Sequence, residues 1–253
     1  MRSGSLVFLL MLGWLLVIPT VSAGDTLNAE STAVPMDNPD SPEWNFNLRP
    51  YFFLSGISGS VTVPPTFPMN SRFGDLLKHV KLGAFINFTA QKGQWGASGD
   101  FQYINLYGEG TGLLDVSLDL KNVIGEVDVF FQPDTAPTLR FLAGVRAYSV
   151  KQTVTIEGSE LPAASTVVVD PILGAYGTWK LSDRWDFELR GDIGGFGVSS
   201  EFTYQVMALF HWDINESLAI PFGYRVLGHQ IQQDEILMDM RMAGMILGLD
   251  IRF

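Results

Sequence analysis

The chain has 253 residues, no Cys, 26 Gly, 13 Pro, 12% aromatic and 17% charged residues, and a formal net charge of −11. A charged share below the usual value of about 25% excludes a disordered chain or a coiled coil, and the acidic balance argues against nucleic acid as a partner. Beyond the amino terminus no apolar run approaches the roughly 20 residues of a membrane-spanning helix, which leaves a soluble β protein or a membrane barrel.

Arg2, the apolar stretch 6–19 and the small residues Val21-Ser22-Ala23 form a secretory signal, so residues 1–23 are read as a cleaved signal peptide. The apolar stretch is short for a transmembrane anchor. Export leads to an oxidising compartment, where a chain with zero Cys draws no stability from disulfides and cannot be a lipoprotein. Residues 24–43 hold Asp25, Glu30, Asp37, Asp40 and Glu43 and no basic side chain, too polar to build a core. They are read as a flexible acidic periplasmic tail, and residues 44–253 as the folded domain.

From Trp44 onward the sequence alternates with period two, punctuated by turn residues. This predicts ten strands, at 44–55, 80–90, 95–106, 115–131, 138–150, 168–181, 185–193, 202–212, 218–227 and 236–253, with eight as the alternative count. Most reach the roughly 9 to 11 residues that a tilted membrane strand requires. One face of each strand carries no charge, as in Leu82, Ala84, Ile86 and Phe88 or Val123, Val127, Val129 and Phe131. Charges take the opposite parity: Arg49, Lys81, Asp100, Glu126, Asp128, Arg140, Arg146, Asp170, Lys180, Asp186, Glu188, Arg190, Asp192, Arg225, Asp250 and Arg252.

A soluble sandwich also alternates, and two features favour the inverted arrangement with apolar side chains outward. If the strands run up and down from a periplasmic start, Trp44, Trp95, Trp179, Trp185 and Trp212 all fall at periplasmic ends, joined by Phe131, Phe210 and Phe253. A single aromatic level is what a lipid headgroup boundary selects. Connections also alternate between tight turns (91–94, 132–137, 182–184, 213–217) and mostly longer loops (56–79, 107–114, 151–166, 194–201, 228–235), the pattern of short periplasmic turns and longer external loops. The predicted fold is therefore an all-β, transmembrane, antiparallel up-and-down β-barrel in the outer membrane of a Gram-negative bacterium.

The end Gly248-Leu249-Asp250-Ile251-Arg252-Phe253 resembles the terminal strand by which Gram-negative outer-membrane proteins are recognised by the barrel-assembly machinery. Asp170-Pro171-Ile172-Leu173-Gly174 and the run 190–197, Arg-Gly-Asp-Ile-Gly-Gly-Phe-Gly, resemble a functionally poorly characterised family of small outer-membrane β-barrel proteins. The likeness spans residues 44–253 and is strongest after Asp170; Tyr176 and Ser199 depart from the family's pattern.

Parity slips twice. Val116, Leu118 and Leu120 exchange faces with Val123, and Met238 and Met240 with Ala243, which predicts β-bulges near 121–122 and 242–243. Those bulges turn Asp239 and Arg241 inward as well; alternatively these upper segments stand above the lipid, where parity is unconstrained. The inward set then holds nine basic and nine acidic residues. A pore selective for one ion sign favours a ring of one sign, whereas paired buried charges fill a lumen at tolerable cost. Tyr51, Phe53, Phe85 and Tyr176 on the same face strengthen the picture of a filled, salt-bridged interior.

No catalytic, cofactor or metal site is expected. The Gly-rich run 191–197 joins two strands and lacks the Lys of a phosphate-binding loop, so it reads as an external turn. His79 and His229 fall in external segments and His211 near a periplasmic turn, too dispersed for a metal cluster. His229 with Asp234 or Glu235 is the only acid–base pair at the outer rim, and a solvated loop is the simpler reading. The functional expectation is a non-enzymatic barrel with a structural or surface-interaction role and lipid as its surroundings. The alternative is a narrow, porin-like channel for small solutes.

Overall fold

The computed structural model describes residues 43–62, 66–71, 80–111, 115–156, 159–160, 164–233 and 236–253; the expected signal peptide and nearly all of the acidic tail lie outside the described residues. The strands are β1 (Trp44–Thr62), β2 (Thr66–Ser71), β3 (Val80–Lys92), β4 (Trp95–Thr111), β5 (Asp115–Phe131), β6 (Leu139–Ile156), β7 (Ser159–Glu160), β8 (Ala164–Ser182), β9 (Trp185–Gly195), β10 (Phe202–Asn215), β11 (Leu218–Gln233), β12 (Ile236–Gly248) and β13 (Asp250–Arg252).

Each long strand pairs antiparallel with its neighbours in the order β10-β9-β8-β6-β5-β4-β3-β1-β12-β11, and β10 pairs β11, so the sheet closes on itself. Ten staves make the barrel among the described residues, with β13 completing the last one. Closure leaves no unpaired edge, the condition for a sheet to sit in hydrocarbon. The strands run past their predicted ends on the side away from the barrel's own termini, Trp44 of β1 and Arg252 of β13, because pairing continues into the longer connections: β2 folds back on β1 and β7 on β6.

Turns between staves follow local chemistry. Gly93 takes a positive φ of 57° in the two-residue turn between β3 and β4, a conformation open to Gly without a Cβ penalty. At the carboxyl end Leu249 donates its N–H to the Pro50 carbonyl at 3.0 Å. Pro50 has no N–H to return, so the ladder is interrupted between β12 and β13 while the register stays constant on both sides.

Neither predicted bulge exists. β5 runs in unbroken register with β4 and β6, and β12 with β1 and β11. Register shifts instead fall between Val80 and Leu82, Lys180 and Ser182, and Asp213 and Asn215. Without a bulge the alternation of β12 carries straight through: Met240, Met242 and Ile246 are buried, while Asp239 and Arg241 are exposed. These two charges therefore belong to the outer parity, beyond the lipid-facing band. Their removal takes one charge of each sign from the inward set and leaves its balance intact.

The outer face is apolar. Phe52, Phe88, Phe101, Val127, Phe141, Leu173, Val206 and Leu247 are all exposed, an arrangement that water would penalise and acyl chains favour. At the end that holds the termini, Trp44, Trp95, Trp185, Phe210, Trp212 and Phe253 are exposed and Phe131 and Trp179 half-buried. Their rings meet laterally, Trp95 with Phe131 at 4.9 Å, Phe187 with Phe210 at 5.1 Å and Phe46 with Phe253 at 5.7 Å between centroids.

Candidate functional site

Inward-facing positions carry the polar chemistry, and register decides which of them meet. Arg146 reaches from β6 to Glu126 on β5 at 2.6 Å and to Asp192 on β9 at 2.7 Å. Arg190 on β9 donates through Nε to Asp192 at 3.0 Å, lies 3.4 Å from Asp128, and also pairs with Glu126. Arg146–Glu126 joins register partners on adjacent staves and Arg190–Asp192 lies within β9, whereas Arg146–Asp192 spans β8, and the Arg190 contacts to Glu126 and Asp128 span β8 and β6, as chords across the lumen.

The network continues around the interior. Gln205 on β10 donates to Asp192 at 3.1 Å and accepts from Arg225 Nε at 2.7 Å. Arg225 Nη1 donates to the Tyr51 hydroxyl at 3.1 Å, which in turn donates to Asp100 at 2.9 Å. Arg225 itself lies 3.5 Å from Asp100, four staves away. Space for this layer comes from glycine: a Cβ on Gly144 would lie 2.7 Å from the Asp128 Cβ, and one on Gly174 would lie 2.5 Å from the Asp192 Cβ. Both distances are closer than real side chains approach, so any larger residue would push the carboxylates out of line.

A second layer sits nearer the termini. Arg49 on β1 binds Asp250 on β13 at 2.6 Å and Glu188 on β9 at 3.2 Å. His211 on β10 stands between the same two acids, 2.8 Å from Asp250 through Nδ1 and 3.1 Å from Glu188 through Nε2. Asn47 adds a donor to Asp250 at 3.1 Å. At the mouth Arg252 binds Asp213 at 2.8 Å.

Apolar side chains pack on the far side of the first layer, where Phe53, Ile124, Tyr148, Val168, Leu227 and Met242 are buried together. Between the two charged layers a cavity of about 30 Å³ touches Tyr51, Asp100, Glu126 and Arg225, room for only a water or two. A larger space of about 130 Å³ lies toward the termini, against Asn87, Gln91, Arg140, Thr178 and Asp186. Arg140 there stacks over Tyr176 at 5.2 Å and Phe130 at 5.9 Å.

Of the sequence-predicted lumen charges, Glu126, Asp128, Arg140, Arg146, Asp170, Arg190, Asp192, Arg225 and Asp250 are buried. Arg49, Asp100, Asp186, Glu188 and Arg252 are half-buried, Lys180 is exposed at the mouth, and the side chain of Lys81 lies outside what is described. Asp170 accepts the backbone N–H of Ser200 at 2.8 Å and, among the described residues, forms no ion pair with the network. His229 is not in a solvated loop. It is 1% exposed and packs on Tyr148, ring centroids 4.3 Å apart, because β11 extends to Gln233 and carries it inside. Asp234, Glu235 and His79 lie outside the described residues. Of the Gly-rich run, Gly191–Gly195 belongs to β9 and the turn starts at Phe196.

Neutral polar residues were missed by attention to charge alone. Asn47, Gln91, Gln102, Gln132, Gln205 and Thr203 are buried, with Gln91 donating to Gln132 at 2.6 Å and Gln132 to the Pro137 carbonyl. Those on regular strands sit at the inward parity, so the alternation that located the charges also marks them. Among the described residues no group of His, Asp and Glu is arranged to hold a metal ion.

No family model matches this sequence, and no curated protein matches it. Solved structures do. The chain is similar to the outer membrane protease OmpT from Escherichia coli, with TM-score 0.51 and 9% identity over 84% of this chain and 97% of that one. It is also similar to Ail, the attachment invasion locus protein of Yersinia pestis, with TM-score 0.39 and 12% identity over 83% of this chain and 98% of that one. The likeness to OmpT extends to the fold and no further. With an apolar exterior, an aromatic ring at one rim and a polar interior, the chain folds as a closed, antiparallel, ten-stranded β-barrel of the outer-membrane type.

Proposed function

We propose that this protein is a non-enzymatic outer-membrane barrel with a structural or surface-interaction role, its lumen closed by ion pairs. The observation that carries this reading is the chord Glu126–Arg146–Asp192–Arg190, backed on one side by apolar packing and on the other by Arg49, Glu188, His211 and Asp250. Carboxylates engaged with guanidiniums across the barrel leave little path for bulk diffusion, and they are occupied rather than poised as acids or bases. OmpT shows that the fold also hosts a protease, but the paired acids inside this chain favour the inert reading. In planar bilayers the wild-type protein is expected to give little steady conductance. Large, reproducible single-channel steps would overturn the closed lumen and establish the second reading, a narrow channel, which the 130 Å³ polar space toward the termini favours.

Export by a cleaved signal peptide and capture by the barrel-assembly machinery complete the proposal. The last strand supports this. Phe253 exchanges both backbone hydrogen bonds with Phe46, at 2.9 and 3.0 Å, and its exposed ring stacks on Phe46. Phe253→Ala is expected to lower the heat-modifiable, folded fraction in outer membranes severalfold, whereas Glu216→Ala, in an exposed turn at the same rim, leaves it near wild type. Equal folded yields, read as cold against boiled mobility in detergent gels, would remove the terminal-strand signal from the proposal.

A further inference from the structure

The rim away from the termini is uneven. From Trp185 at the aromatic ring, β9 takes ten steps to Gly195, a rise of roughly 25 Å at about 3.3 Å per residue and a tilt near 40°. That equals the height of a barrel's apolar band, roughly 25 Å. β4, by contrast, takes sixteen steps from Trp95 to Thr111 and rises roughly 40 Å by the same geometry. The β9–β10 turn therefore stops at the far lipid boundary while its counterpart projects well beyond it.

What the turn presents at that level is apolar. Phe196 is 52% and Val198 67% exposed, Phe202 is exposed beside them, and Val169 on the neighbouring β8 is exposed where Ser199 bonds its carbonyl. Across 194–204 the only charge is Glu201. Phe196 adopts φ 50°, a left-handed conformation that a bulky side chain enters only when its surroundings hold it there. Four contacts do so: Val198 N–H to the Gly195 carbonyl at 2.9 Å, Gly197 N–H to the Ser200 carbonyl at 3.0 Å, Ser199 Oγ to the Val169 carbonyl at 2.9 Å, and Ser200 N–H to buried Asp170 at 2.8 Å. The last two tie the turn down onto β8 and leave Phe196 and Val198 facing out.

We propose that the β9–β10 turn is a lipid anchor, with Phe196 and Val198 inserted among the acyl chains of the outer leaflet and setting the depth of this side of the barrel. The patch is continuous with the lipid-facing band below it, through Ile193, Val169 and Val206, all exposed, and this continuity selects acyl chains as the occupant. The proposal is independent of whether the lumen conducts.

The chain has no Cys, so a nitroxide can be attached at one chosen position. Phe196→Cys and, separately, Val198→Cys would be labelled in the purified protein reconstituted in phosphatidylcholine vesicles, with folding checked by heat-modifiable mobility. Val145→Cys on the outer band supplies the lipid reference and Asp134→Cys in a turn at the other rim the aqueous one. Labels at 196 and 198 are expected to collide with oxygen more than with a water-soluble nickel chelate, as at 145. A ratio like that at 134 at both positions would overturn the anchor. Strong spin–spin broadening at vesicle dilutions where 145 shows none would also overturn it, by identifying a second copy of the chain as the occupant.

Discussion

Arg146→Glu is expected to be the most damaging single change in the barrel. The Arg146 side chain is fully buried and touches two carboxylates at 2.6 and 2.7 Å. Reversal leaves Arg190 alone among Glu126, Asp128, Asp192 and a new acid, none of which can reach bulk water. Breaking a buried ion pair by removing one partner costs about 3–5 kcal/mol, and like-charge repulsion adds to it. Arg146→Met should cost less, because Arg190 still serves both Glu126 and Asp192, and Arg146→Met with Glu126→Gln should recover part of the loss by removing both ends of the pair. Urea unfolding in lipid vesicles, followed by gel mobility, measures all three. If Arg146→Glu unfolds at the wild-type midpoint, the chord is ornamental and the lumen must be held by its apolar packing.

On the outside, the ranking should follow depth rather than burial. Phe88 is exposed on β3 four residues above Lys92, which pairs Trp95 and Trp44 at the aromatic ring; this places it roughly 10 Å into the apolar band. Trp95 is also exposed, at the ring itself. Phe88→Arg is expected to cost about 2–4 kcal/mol and Trp95→Arg about 0–1 kcal/mol. In water the two exposed sites would tolerate Arg equally, so the difference in folding free energy tests membrane immersion directly. Equal costs would contradict the assigned orientation of the barrel in the bilayer.

How much of this was legible in the sequence depended on contrast between adjacent residues. Where charge and apolar side chains alternate, as in Glu126, Val127, Asp128 and Val129, parity fixes the two faces. Where the alternation is Met with Asp or Arg, as in 238–242, both faces look unlike their neighbours below, and parity alone admits either a bulge or a segment above the lipid; in the structure the register is unbroken and Met240 and Met242 face the lumen. Parity places Phe53 inward, but the rule that apolar means outward leaves its buried neighbours Ile124 and Leu227 unmarked, since above the charged layer the interior itself is apolar. Pairing across the lumen was beyond reach for a different reason. Arg146 beside Glu126 follows from the hairpin of β5 and β6, but pairs such as Arg49–Glu188 and Arg225–Asp100 depend on shear and on chords between strands up to four staves apart, quantities that no local pattern encodes.

The seam between first and last strands has a kinetic meaning. β1 begins at Trp44, yet its partner at that end is supplied by the final residues through Phe46–Phe253, Asn47–Arg252 and the Arg49–Asp250 ion pair, about 200 positions away. Closing so long a loop loses chain entropy before any of these contacts can form. Neighbouring hairpins pair locally, whereas the ring closes only when β1 meets β12 and β13. Until then one edge of β1 has unsatisfied backbone groups, a surface prone to pairing with other chains. The Phe46–Phe253 pairing and the buried Arg49–Asp250 ion pair thus stabilise the seam only once β1 and the last stave have met, and they place some of the sheet's most distant contacts at its point of closure.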